Sequence, residues 1–81
     1  MDNWVVYLLK CRDNSFYCGA TNNLEKRIEA HNSGKGAKYT SGRLPVELAG
    51  YKGNLEKSQA MKLELRVKKM NKWEKLEFFR N

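Results

Sequence analysis

The sequence predicts an α+β fold in which a three-stranded antiparallel sheet is flanked by three helices. Near the N-terminus, two runs rich in aromatic and β-branched residues stand on either side of a short polar turn, which is the pattern of a β-hairpin. Further along, apolar residues recur at helical spacing. The chain has 81 residues, the length of one small domain with a thin core, so residues 1–81 are predicted to form a single domain.

The predicted hairpin consists of a strand from Trp4 to Cys11 and a strand from Ser15 to Ala20. The first strand is apolar on both faces as far as Lys10. This pattern is typical of a strand that is covered on both sides.

The turn of the hairpin decides which side chains share a face of the sheet. A three-residue turn with Asn14 in a left-handed conformation pairs Tyr7 with Gly19, and Tyr7 and Tyr17 then lie on one face. A two-residue turn would separate the two tyrosines. A glycine leaves room for the ring beside it, which favours the three-residue turn.

The first helix is predicted from Leu24 to Asn32, with capping residues at positions 21–23. Its apolar stripe is formed by Leu24 and Ile28, and Arg27 and His31 lie along the edge of that stripe. A surface helix normally keeps its charges opposite the apolar face. An arginine and the only histidine of the chain in this position therefore indicate a functional site.

The segment from Gly34 to Arg43 contains three glycines and three cations but no periodic apolar residues, so it is predicted to be a loop. It is either a solvated connection or an arm that contacts phosphates. In the second case Lys35, Lys38 and Arg43 bind phosphates, and Tyr39 stacks on a base.

A third strand is predicted over Val46 to Tyr51, and a second helix from Leu55 to Met70. Glu64 projects from the apolar arc of this helix, so its carboxylate is predicted to point inward. An unpaired carboxylate would be costly there. A cation is therefore expected beside it, either Arg27 or a metal ion.

The last helix is predicted to begin after Asn71, which forms a variant of the capping box with Glu74. Its apolar residues are expected to close the core. They are Trp73, Leu76 and one of Phe78 and Phe79.

The charge of the chain points to a polyanionic partner. Sixteen Lys and Arg residues against nine Asp and Glu residues give a formal net charge of +7. Such a surplus favours nucleic acid as the partner. The apolar run from Trp4 to Leu9 is too short for a membrane helix and lacks the features of a signal peptide, so the protein is expected to be cytoplasmic, with no membrane contact.

Two cysteines are too few for a disulfide framework or a zinc site. The predicted hairpin register places Cys11 and Cys18 on opposite faces of the sheet. Both are therefore expected to be buried free thiols.

Several of these residues together resemble the GIY-YIG nuclease superfamily, in particular its small stand-alone bacterial proteins. The matching set is Val5-Val6-Tyr7, Tyr17-Cys18-Gly19, Arg27 and His31 in the following helix, Glu64 in a later helix, and the loop from Asn32 to Thr40. The two tyrosines, the glycine and the spacing match the family. Val5 replaces the first glycine of the family motif, and Cys18 replaces its isoleucine.

This resemblance implies a metal-dependent endonuclease that hydrolyses phosphodiester bonds in nucleic acid, with DNA favoured over RNA. Glu64 would bind a single Mg²⁺ or Mn²⁺ ion, and Arg27 would stabilise the charge of the transition state. Tyr7 would orient or deprotonate the attacking water, while Tyr17 and His31 would hydrogen-bond to that water or to the scissile phosphate. The sequence leaves open whether Tyr7 or His31 is the general base.

Two other functions are compatible with the same residues. A nucleic-acid-binding module without catalysis would use the same loop and tyrosines, with Glu64 paired to Arg27. A small structural protein would carry its charge for solubility. A chain of this length has no separate specificity domain, so the oligomeric state and the need for a partner protein in targeting both stay open.

Overall fold

The structure, a computed structural model, describes residues 3–80. Its elements in chain order are β1 (Trp4–Lys10), β2 (Phe16–Thr21), α1 (Leu24–Asn32), α2 (Lys38–Ser41), β3 (Glu47–Leu55), α3 (Lys57–Lys68) and α4 (Lys72–Phe79). The three strands form one antiparallel sheet, which confirms the predicted α+β class. Four helices accompany the sheet in the described residues, against three predicted. None of them has the length and hydrophobicity that a membrane span requires.

Strand β1 lies at the centre of the sheet, whose order is β2-β1-β3. Its residues from Val6 to Leu9 are at most 1% exposed, because helices cover both faces. On one face Val6 and Leu8 pack with buried residues of α3 and α4. On the other face Tyr7 and Leu9 pack with side chains of α1.

The predicted register of the hairpin is confirmed. Tyr7 pairs with Gly19, and Leu9 pairs with Tyr17. The turn carries Asn14 at a φ of 66°, the left-handed conformation that a three-residue turn requires. Both tyrosines therefore lie on the α1 face of the sheet.

The two cysteines are buried and free, as predicted. Cys11 packs on the α1 face, and Cys18 packs on the α3 face. Burial, together with the negative charge of Glu64, raises the pKa of the Cys18 thiol to about 11.

Helix α2 lies in the segment that the sequence predicts to be a loop, so that prediction is wrong over residues 38–41. This single turn is held by local hydrogen bonds, since the Ser41 amide donates to the Ala37 carbonyl at 3.1 Å and the Ser41 hydroxyl donates to the Lys38 carbonyl at 2.9 Å. So short a helix leaves no apolar period in the sequence.

Strand β3 continues to Leu55, where the sequence predicts the start of the second helix. Leu55 instead pairs with Trp4 of β1 across an irregularity in the ladder. Helix α3 begins only after Glu56, which forms a capping box with Gln59. Pairing with the central strand thus extends β3 through Gly53 and Asn54, although both residue types are typical of turns.

The prediction that Trp73 closes the core is wrong, because its side chain is 73% exposed. Phe79 is the buried residue of α4 and lies against Gly50 of β3, where an added Cβ would be 2.7 Å from the Phe79 Cβ. At about 100° per residue, Trp73 then lies about 120° around the helix from Phe79. It therefore lies off the buried face of α4 and is exposed to solvent.

Candidate active site

A chain of three buried polar side chains connects the sheet to α1 and α2. The Tyr7 hydroxyl lies 3.0 Å from His31 Nε2, and Thr40 Oγ1 lies 2.8 Å from His31 Nδ1. His31 and Thr40 are fully buried, and Tyr7 is 1% exposed. Helix α1 thus positions His31 between the sheet and α2.

The direction of these hydrogen bonds follows from the last one in the chain. The Thr40 hydroxyl donates to the Ala37 carbonyl at 3.1 Å, so its oxygen is left to accept from His31. Nδ1 of His31 therefore carries the hydrogen, and Nε2 presents its lone pair to the Tyr7 hydroxyl. Thr40 fixes the tautomer in which His31 accepts a hydrogen bond from Tyr7.

Burial keeps both partners of this hydrogen bond neutral. It lowers the pKa of His31, and the positive charge of Arg27 adds to the effect. Burial also raises the pKa of Tyr7, outweighing the hydrogen bond from Arg27, which lowers it. The resting pair is therefore a phenol that donates to an uncharged imidazole.

Two glycines allow the backbone to approach these rings. A Cβ at Gly19 would collide with the Tyr7 hydroxyl and lie 2.6 Å from Tyr7 Cζ. A Cβ at Gly36 would collide with the His31 ring. Both positions lie within van der Waals distance of the site, so neither tolerates a side chain without displacement of a ring.

Tyr17 and Arg27 form a partly exposed layer over the buried chain. The Tyr17 ring centroid lies 6.5 Å from that of Tyr7 and 5.2 Å from that of His31. The Arg27 guanidinium donates from Nη2 to the Gly36 carbonyl at 3.0 Å. All four residues that the sequence predicts to be catalytic therefore meet at one place.

Glu64 approaches the same place from α3, and its side chain is 19% exposed. Its cation is Lys68, whose Nζ lies 3.1 Å from Glu64 Oε2. The predicted alternative of an ion pair with Arg27 is wrong, because Arg27 bonds to Gly36 instead. The Lys68 ammonium also lies 5.8 Å from the centre of the Tyr17 ring, which places this pair beside the tyrosines.

Within residues 3–80 no group of three or more His, Cys, Asp and Glu side chains is arranged to hold a metal ion. Glu64 is the carboxylate whose charge acts on Tyr7 and on Cys18. One partly exposed carboxylate suits a hard cation such as Mg²⁺, which keeps several of its waters and needs few protein ligands. Glu64 therefore fits a single magnesium or manganese ion.

The basic loop of residues 34–43 folds against the site. The Tyr39 ring stacks on Tyr17, with centroids 5.9 Å apart and 30° between planes, and Arg43 lies 4.2 Å above the Tyr39 ring. Arg43 also donates to Asp13 at 3.0 Å and to the Tyr39 carbonyl at 2.6 Å. Tyr39 and Arg43 thus make contacts within the protein, where the sequence predicts contacts to nucleic acid.

Lys35 and Lys38 differ from Arg43 because both are exposed. They line a shallow cavity of about 290 Å³ together with Gly34 and Gly36. These two lysines are free to meet a phosphate at this surface.

Sequence reasoning missed Thr40, Gly36 and Lys68. Thr40 and Gly36 lie in the loop from Asn32 to Thr40, whose resemblance to the stand-alone proteins is the most specific. That resemblance is the signal by which both residues could have been found. Lys68 follows Glu64 by four residues, the spacing of a helical ion pair.

Comparisons with known proteins identify the family of this chain. The chain matches the GIY-YIG catalytic domain over residues 3–77. A UPF0213 protein of Oceanobacillus iheyensis is 54% identical over 71 residues, which cover 88% of this chain and 83% of the relative. The UPF0213 protein YazA of Bacillus subtilis is 47% identical over 74 residues, which cover 91% of this chain and 75% of the relative.

Two solved structures share the fold. A solution NMR structure of a protein from E. faecalis has a TM-score of 0.65 and 38% identity, and the match covers 99% of this chain and 88% of that one. A solution NMR structure of a UPF0213 protein from Bacillus halodurans has a TM-score of 0.58 and 41% identity, covering 93% and 80% of the two chains.

The chain belongs to the GIY-YIG catalytic domain family. Within that family it is similar to the small bacterial UPF0213 proteins. The resemblance predicted from the sequence motifs is confirmed.

Proposed function

We propose that this protein is a divalent-metal-dependent endonuclease that hydrolyses phosphodiester bonds in DNA. The observation that supports it most is the buried chain from Tyr7 through His31 to Thr40, next to Arg27 and Glu64. The network holds a phenol against the Nε2 lone pair of a neutral histidine, an arrangement along which a proton can move, and it lies beside a cation and a carboxylate.

Tyr7 and His31 would act in sequence to take a proton from the attacking water. Burial raises the pKa of Tyr7, so the phenol stays protonated at neutral pH and is a poor base by itself. As its proton moves to Nε2 of His31, the Tyr7 oxygen takes a proton from the water, and the water oxygen forms a bond to phosphorus. The bond from phosphorus to the leaving sugar oxygen breaks, and that oxygen takes a proton from solvent. In this proposal Tyr7 contacts the water and His31 accepts the proton.

Arg27 and Tyr17 would contact the phosphate itself. Both belong to the partly exposed layer, so they meet the substrate before Tyr7 does. The Arg27 guanidinium is held in place by the Gly36 carbonyl and would stabilise the negative charge that builds up on the phosphate oxygens.

Glu64 would hold a single Mg²⁺ or Mn²⁺ ion through its carboxylate. When bound, such an ion polarises the phosphate and stabilises negative charge. The chain itself supplies the orientation of Glu64, because α3 packs against the sheet beside Cys18.

The net charge of +7 and the absence of acidic residues from the 34–43 loop support a nucleic-acid substrate. We place the protein in the cytoplasm. We also propose that a partner protein or the shape of the DNA contributes to the choice of substrate.

Replacing Glu64 tests the proposal. Cleavage of labelled single-stranded, double-stranded and branched DNA, and of RNA, is measured with Mg²⁺ or Mn²⁺ and with chelator. Glu64→Gln is expected to keep the fold, because its partner Lys68 is 46% exposed and loses only a weak ion pair. It is expected to retain DNA binding and lose metal-dependent cleavage.

The matched control is Glu77→Gln, the same chemical change at an exposed ion pair on α4. It is expected to cleave like the wild type. Cleavage by folded Glu64→Gln in the presence of chelator would contradict the single-metal mechanism. A wild-type protein that binds DNA but cleaves no substrate with either metal would instead establish the non-catalytic binding module.

A further inference from the structure

A second surface of the molecule combines an exposed aromatic ring, lysines and an apolar cavity. Trp73 is 73% exposed at the start of α4. Beside it lies a cavity of about 440 Å³ whose lining includes Lys10, Phe16, Lys72 and Leu76. We call this surface the tryptophan patch. It is defined by Trp73, Lys72, Lys10 and the cavity between them.

The tryptophan patch lies on the sheet face opposite the tyrosines. Phe16 and Lys10 form a cross-strand pair, and Phe16 packs with the core of the α3 face. Tyr17, the next residue, points to the α1 face, because successive side chains of a strand alternate. The patch and the candidate active site therefore lie on either side of the outer strand β2.

Two lysines connect these surfaces along β2. The Lys68 ammonium lies 5.8 Å from the centre of the Tyr17 ring, and the Lys72 ammonium lies 5.6 Å from that of Phe16 and 5.7 Å from that of Trp73. Since β2 is an edge strand, no further strand of the described residues separates these cations from solvent. These two lysines therefore lie between the active site and the patch, with the charge of Lys68 balanced in part by Glu64 and that of Lys72 turned toward the aromatic rings.

The chemistry of the patch fits a nucleotide better than a protein. An exposed indole offers a face on which any base can stack, and lysines beside it can bind the connecting phosphates. Within the described residues, the lining of the cavity contains two cations and no carboxylate. The net charge of +7 also favours a polyanion over a second copy of the same chain.

We infer that the tryptophan patch binds an unpaired base of single-stranded nucleic acid that extends from the active site past Lys68 and Lys72. The inference rests on the proposed nuclease function and adds a substrate class to it. Substrates with a single-stranded segment next to the cleaved bond would bind more tightly than uniform duplex.

Tryptophan fluorescence tests the inference without any cleavage. A single-stranded thymidine oligonucleotide is titrated into the Glu64→Gln protein in chelator, because stacking of a base on an indole quenches its emission. Trp73→Leu removes the ring, Trp73→Phe keeps an aromatic face, and Tyr51→Leu removes another exposed aromatic on the opposite sheet face.

The oligonucleotide is expected to quench the emission of the parent protein, and Trp73→Leu is expected to abolish that change. Affinity for the oligonucleotide is expected to fall about 5- to 100-fold in Trp73→Leu and less in Trp73→Phe. Affinity for blunt duplex should change little, and Tyr51→Leu should bind like the parent.

Equal affinity of Trp73→Leu and the parent for the single strand would overturn the inference, even if the wild type cleaves DNA. Emission that changes with protein concentration alone would also overturn it and identify a self-association surface. If quenching depends on Trp73 but no substrate is cleaved, the inference about the tryptophan patch is supported and the proposed nuclease function is contradicted. The two proposals are therefore tested separately.

Discussion

His31 is the residue on which the candidate site depends. It is the only histidine of the chain, and it is fully buried with a hydrogen-bond partner on each ring nitrogen. A buried imidazole with one donating and one accepting nitrogen is uncharged and held in one orientation. The polarity of the whole chain of hydrogen bonds is therefore set by Thr40.

Replacing Thr40 by valine tests this role. The substitution leaves the buried Nδ1–H of His31 without an acceptor, which is expected to destabilise the fold by about 1–3 kcal/mol. It also removes the preference for the tautomer with hydrogen on Nδ1. Unfolding by denaturant measures the first effect, and ¹⁵N NMR of the single histidine ring measures the second.

Thr40→Ser is the control, because it keeps the hydroxyl and removes only a methyl group. It is expected to retain the wild-type tautomer. If Thr40→Val keeps both the wild-type stability and the wild-type ring nitrogen shifts, Thr40 does not orient His31.

At the scale of elements, the β1–β2 hairpin places the tyrosines. Its register brings Tyr7 opposite Gly19 and brings Tyr17 to the same face. Slipping the register by one residue would move every side chain of β2 to the other face. In the observed register the Tyr7 ring lies against the backbone of Gly19, so the site requires a residue without a side chain at position 19.

Gly19→Ala is expected to destabilise the protein by about 1–3 kcal/mol, because the new Cβ overlaps the Tyr7 hydroxyl and the strand must shift. Cleavage is expected to fall as well, since the Tyr7 hydroxyl would leave its position opposite His31. Thermal unfolding and the cleavage assay measure these effects.

Gly42→Ala is the matched control, since within residues 3–80 no atom other than those of Gly42 and its chain neighbours lies within 4 Å of the added Cβ. Its stability and cleavage are expected to stay close to those of the wild type. Equal behaviour of the Gly19 and Gly42 variants would show that the hairpin can absorb the extra methyl group.

At the scale of the whole molecule, charge and fold make different contributions to binding. The net charge of +7 attracts a polyanion from any direction, whereas the fold decides which cations can reach a phosphate. Lys35 and Lys38 are exposed in the basic loop, while Arg43 is occupied by Asp13 and the Tyr39 carbonyl.

The salt dependence of DNA binding separates these cations. Removing one cation that neutralises a phosphate lowers the magnitude of the slope of log K against log salt by about 0.7 to 0.9. The double variant of Lys35→Ala and Lys38→Ala is therefore expected to lower it by roughly 1.4 to 1.8. The further change Arg43→Ala should lower it by less than the amount for one phosphate. A slope unchanged in the double variant would place the phosphate-binding cations elsewhere on the surface.

The sequence alone predicted much of this protein because its signals are local. Asn14 in the turn and the room that Gly19 leaves for the Tyr7 ring predicted the hairpin register. The helical spacing of Arg27 and His31 predicted their place beside the apolar stripe. These features depend on neighbours within a few residues.

Only the tertiary structure decided the remaining features, because they depend on contacts between distant residues. Thr40 meets His31 across nine positions through a one-turn helix that leaves no periodic signal. Trp73 was expected in the core because it is apolar, but the sheet accommodates Phe79 over Gly50 and turns the indole to solvent. The space that the other elements leave determines which of several apolar residues is buried. A sequence pattern carries no information about that space.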